Sequence, residues 1–144
     1  MICLKKSFLN KYSAMKKYQF NKLIRSKLPE RMSIEGVKVF GRHLNGEEFT
    51  RELKNKLVEE AIEVRDTDSR DNLIRELADI MEVIESINLA HNITKEEVEK
   101  ERIIKREVNG HFLPANFVDY IEVPADNQRV IEYLENRNRP YKYN

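Results

Sequence analysis

The sequence predicts an all-α fold, a helical bundle, and three observations carry that reading. Charged residues make up 35% of the chain and interleave with apolar ones at helical spacing. Gly and Pro, which punctuate loops and turns, number only four each. One segment, beginning at Thr94, also carries a complete helix-start signature. The 144 residues suit one domain with enough length to bury a core.

The opening stretch MICLKKSFLNKYSAMKK is basic and mildly amphipathic, with no acid before Glu30. Its apolar run is too short for a secretory signal, so residues 1–17 read as a non-core extension, with Met15 as an alternative start. A membrane-surface role is the competing reading. KLIRSKLPERMSIEG then reads as an extended lead-in followed by a short helix, with Pro29 in its first turn and Gly36 just past its end. VKVFGRHL alternates briefly, which suggests an arm or a small hairpin.

From Glu47 to about Asp66, Phe49, Leu53, Leu57, Ala61 and Val64 form one stripe of a first long helix. DTDSRD breaks it. A second helix is expected from about Asn72 to His91, with Leu73, Leu77, Ile80, Ile84 and Ile87 on one side, and so short a loop favours antiparallel neighbours. At Thr94 and Glu97 a T-x-x-E capping box starts a third helix, with Ile93 and Val98 in the staple positions and Gly110 as its natural end. NQRVIEYLENR predicts one more helical piece before a tail, so that residues 119–144 form a C-terminal extension.

Composition narrows the partners. A net charge of +1 lacks the basic excess of a nucleic-acid binder, so no nucleic-acid partner is expected. No run approaches the roughly twenty apolar residues that cross a bilayer, so no membrane partner is expected either. The single cysteine, Cys3, can form neither an intrachain disulfide nor a thiol-rich metal site, which fits a cytoplasmic protein.

The chemistry lies in acids three residues apart on both long helices: Glu60 and Glu63, then Glu76 and Asp79. Residues at i and i+3 share a helix face, so two adjacent helices would aim four carboxylates at one spot. At about 100° per residue, Glu60 falls inside the apolar arc of its helix and Glu63 at its edge. Glu59 turns toward solvent. On the second helix Glu76 borders the core face and Asp79 sits at its margin, while Glu82 and Glu85 turn away. A core-facing carboxylate requires a partner. That partner is either a metal ion or a cation such as Lys56, Arg65 or Arg75. Neither acid pair has a histidine in the i+3 position used by helical di-iron proteins, and all-oxygen ligation favours Mg²⁺ first and Mn²⁺ second.

The pattern Glu59-Glu60-x-x-Glu63 and Glu76-x-x-Asp79 resembles the all-α nucleoside triphosphate pyrophosphohydrolases of the MazG superfamily. NKLIRSKLPERMSIEG before it and KREVNGHF after it are similar to the phosphoribosyl-ATP pyrophosphohydrolase-like, house-cleaning branch. The resemblance covers Tyr18 to Phe117, which sets a domain over residues 18–118. It implies Mg²⁺-dependent cleavage between the α and β phosphates of a nucleoside triphosphate, giving a monophosphate and pyrophosphate, in a homodimer or larger assembly. By position, Glu60, Glu63, Glu76 and Asp79 would hold the metal. Glu60, Glu63 or Glu59 would orient the attacking water, and which of them acts as base stays open. Lys22, Arg25, Lys56, Lys105 and Arg106 would contact the substrate, or else serve as ordinary surface bases. The chain departs from the family at Ser26, where an acid is expected, and at His111, where a second glycine is expected. A catalytically silent helical dimer and a purely structural bundle are the alternatives.

Overall fold

A computed structural model of the chain describes residues 15–136. The basic opening before residue 15, with Cys3, and the tail beyond 136 lie outside the described residues. Within them the chain forms five helices and no strand: α1 (Leu28–Ile34), α2 (Gly46–Asp66), α3 (Arg70–Ala90), α4 (Lys95–Asn109) and α5 (Gln128–Glu135). The all-α expectation holds. Of the two readings offered for VKVFGRHL, the hairpin does not form; the segment is irregular, and a two-pronged contact from Arg42 to Glu48 (2.8 and 2.6 Å) ties it to the first turn of α2.

Helix ends follow local chemistry. Pro29 occupies the first turn of α1, where its missing N–H costs nothing, and Gly36 closes that helix at φ 81°. Before α4, Thr94 Oγ1 accepts from Glu97 N at 3.1 Å while Thr94 N donates to Glu97 Oε2 at 2.7 Å, the reciprocal pairing of a capping box. Two ends differ from expectation. α3 begins at Arg70, two residues earlier than the apolar pattern suggested, because Ser69 Oγ accepts from Asn72 N at 3.2 Å and caps it. It ends with Asn92 at φ 55° and Ile93 N donating to Asn88 O at 2.8 Å, a left-handed closure that asparagine tolerates.

Contacts divide the chain into two compact units, with the boundary after Glu99 inside α4. In the first unit α2 and α3 pack against each other. Their sense is antiparallel. Gly46, Phe49 and Thr50 at the start of α2 line one open groove with Ala90 and His91 at the end of α3, while Glu63 near the end of α2 meets Glu76 near the start of α3. Leu53 and Val83 are the buried apolar residues of this hairpin, flanked by half-buried Phe49, Leu57, Val64, Ile80 and Ile87.

The seam on α3 is rotated from the expected stripe. It runs through Glu76, Ile80, Val83 and Ile87, at spacings of four and three, and leaves Leu73, Leu77 and Ile84 exposed. Period alone could not separate the two stripes, because α3 is apolar around much of its circumference. On α2 the seam includes Glu60, which is 4% exposed, and the wheel placed that residue correctly.

The second unit holds the rest of α4 and α5. Asn127 Oδ1 caps α5 by accepting from Val130 N at 3.3 Å, and Val130, Ile131 and Leu134 are half-buried along one side. No helix among the described residues is long and apolar enough to cross a membrane.

Candidate metal centre

The antiparallel hairpin brings the last two turns of α2 beside the first two turns of α3, and that register assembles the acids. One carboxylate oxygen from each of Glu60, Glu63 and Glu76 lies within 4.8 Å of the others. Glu60 is buried, Glu76 half-buried and Glu63 exposed, so the cluster opens from the helix seam to the surface. The Glu63 and Glu76 carboxylates face each other within that distance, and among the described residues no lysine or arginine pairs with either. Partial burial of Glu76, then the charge of Glu63, Asp79 and Glu60, raises its pKa above the ordinary glutamate value. Three carboxylate oxygens converging in this way could hold a metal ion.

Asp79 stands apart from the other three acids. It contributes to the field on Glu76, but its Oδ1 accepts a hydrogen bond from Arg25 Nη2 and is not among the three clustered oxygens. Arg25 also reaches Glu82 at 3.9 Å. Glu85 pairs with Lys95 at 3.0 Å, away from the cluster as expected.

Glu59 corrects the wheel. It is half-buried rather than turned out to solvent, because Lys22 Nζ (2.7 Å) and Lys56 Nζ (2.9 Å) both donate to its Oε1. The segment before α1 covers that flank of α2, a tertiary contact that a single-helix projection does not contain. Partial burial disfavours the Glu59 charge, but the two ammonium hydrogen bonds outweigh it and hold its pKa below the usual carboxylate range. Lys56 also meets Glu60 Oε1 at 2.6 Å. Burial lowers the Lys56 pKa, while hydrogen bonds to Glu60 and Glu59 and their charges raise it by more. Of the three cations weighed as structural partners, Lys56 alone serves the acids. Arg65 pairs with Asp66 (2.7 Å) and Arg75 reaches Asn72 Oδ1 (3.4 Å).

Lys105 and Arg106 lie on α4 within the second unit, where Lys105 pairs with Glu101 at 3.8 Å. Sequence reasoning missed the Arg25–Asp79 and Lys22–Glu59 contacts. Partners 54 and 37 positions apart leave no local signal. No family model, no curated protein and no solved structure matches this chain.

Proposed function

We propose that the chain is a Mg²⁺-dependent nucleoside triphosphate pyrophosphohydrolase. The observation that carries this reading is the uncompensated Glu63–Glu76 contact beside buried Glu60, with Lys22, Arg25 and Lys56 on its rim. An acid cluster with cations around it matches a polyphosphate held through a divalent ion, and the likeness of the two acid motifs to the MazG superfamily points the same way. House-cleaning of noncanonical nucleotides is the role that likeness suggests.

In this reading Glu60, Glu63 and Glu76 would hold the ion, and Asp79 would join them on leaving Arg25. Bound Mg²⁺ would neutralise phosphate charge and acidify a coordinated water. Lys56 Nζ, 2.6 Å from Glu60 Oε1, orients that carboxylate. Lys22 and Arg25 would neutralise the phosphates. Water adds to phosphorus, the bridging oxygen leaves with pyrophosphate, and the water proton passes to a carboxylate. Glu59 is a weak acceptor because two ammonium groups hold it ionised.

A homodimer completes the proposal. Val58, Ile62, Leu73, Leu77, Met81 and Ile84 are 37–70% exposed on the hairpin. A second copy would cover them.

The Lys56–Glu60 contact favours one competing reading, a structural bundle whose acids are paired internally. That reading accounts for Glu60 and leaves Glu63 and Glu76 unexplained. Pyrophosphate release from a nucleoside triphosphate panel, with and without Mg²⁺, decides between them. Mg²⁺-dependent release that Glu63→Gln abolishes is expected; a folded protein with no release on any nucleotide defeats the proposal.

A further inference from the structure

The arm over residues 18–27 seats two of its three cations, Lys22 and Arg25, on Glu59 and Asp79, acids that flank the cluster. Lys22 stands 2.7 Å from Glu59 on α2, and Arg25 donates to Asp79 on α3. Between these anchors Leu23 and Ile24 are half-buried. Asn21 takes φ 41°, a left-handed turn just before Lys22, and Leu28 N donates to Arg25 O at 3.0 Å where α1 begins. One short segment therefore ties both acid helices together across the rim of the centre.

The two anchors are suited to release. Side-chain exposure is 56% for Arg25, 38% for Asp79 and 40% for Lys22, and ion pairs this exposed hold weakly and are screened by salt. Letting go strands no acid. Glu59 Oε1 is shared between Lys22 and Lys56, so it keeps Lys56 when Lys22 leaves. Asp79 would exchange Arg25 for the divalent cation, whose double charge is also drawn by the unbalanced Glu63 and Glu76.

We propose that residues 18–27 form an autoinhibitory strap. Lys22 and Arg25 occupy Glu59 and Asp79 until a divalent cation at Glu60, Glu63 and Glu76 recruits Asp79, and the strap then frees both cations for the phosphates of the substrate. This rests on the metal reading above. By linkage, the strap must weaken cation binding by the same factor with which the cation loosens the strap.

Amide hydrogen exchange on the full chain, titrated with Mg²⁺ at constant pH and followed in parallel by calorimetry, tests the strap. Saturating Mg²⁺ should speed exchange of the Leu28 amide, which donates to Arg25 O, about tenfold. In a Lys22→Gln/Arg25→Gln variant that amide should exchange fast at any Mg²⁺ level, and Mg²⁺ should bind several-fold tighter. Asp79→Asn should loosen the same amide without Mg²⁺. Binding of Mg²⁺ with exchange at Leu28 unchanged or slowed overturns the strap alone. No Mg²⁺ binding by either the wild type or the double variant overturns the metal reading and the strap together, while binding by the variant only supports the strap.

Discussion

Lys56 Nζ lies 2.6 Å from Oε1 of Glu60, one turn further along α2, and this contact joins the hairpin core to the acid cluster. The order is lysine before glutamate, the weaker orientation for an exposed i,i+4 pair. Burial, not helix propensity, explains the contact: the Glu60 side chain is 5% exposed and that of Lys56 22%.

Removing Lys56 should therefore be costly. Lys56→Met leaves the buried Glu60 carboxyl without its cation, and breaking one half of a buried pair costs about 3 kcal/mol. Urea unfolding should show that loss. Adding Glu60→Gln to the same chain should restore most of it, and so should Mg²⁺ added to the single variant.

The acids at the centre carry the opposite sign. The Glu76 pKa is raised above 4.5 by partial burial and by Glu63, so folding disfavours its charged form at neutral pH, and this cost disappears as pH falls through the folded pKa toward 4.5. The Glu59 pKa is lowered, so its contribution is complete above 4.5 and is lost as pH falls through the folded value below that. Thermal melts in Mg²⁺-free buffer should show stability rising slightly toward pH 4.5 and falling beneath it. Glu76→Gln should raise the neutral-pH melting temperature and remove the rise while keeping the fall.

Ser69 sets where α3 starts and hence where Glu76 stands relative to Glu63. Ser69→Ala removes the acceptor for Asn72 N and should cost about 1 kcal/mol, whereas Ser69→Asp should keep the cap. Chemical denaturation of the three proteins tests this.

The helices were legible because the two long ones carry apolar periodicity over five turns and α4 opens on a capping box whose partners are three residues apart. The burial of Glu60 was legible for the same reason, since one helix wheel contains it. The surroundings of Glu59 and Asp79 were not. Both are held by cations from an irregular segment far away in sequence, and neither periodicity nor spacing encodes such a contact. The α3 seam was misplaced by about one position because Leu73, Leu77 and Ile84 are as apolar as the residues that pack. If a second copy covers them, both stripes carry meaning, one for the hairpin and one for the dimer.

The central claim is that Glu60, Glu63 and Glu76 form one divalent-cation centre. Titration of Mn²⁺ into the protein, with free Mn²⁺ read from its paramagnetic resonance signal, tests this most directly. Saturable binding that Mg²⁺ displaces, that falls at least tenfold in Glu63→Gln and in Glu76→Gln, and that survives Glu85→Gln is the predicted result. Absence of saturable binding by both the wild type and the Lys22→Gln/Arg25→Gln variant, or equal binding by the wild type and both centre variants, would contradict it.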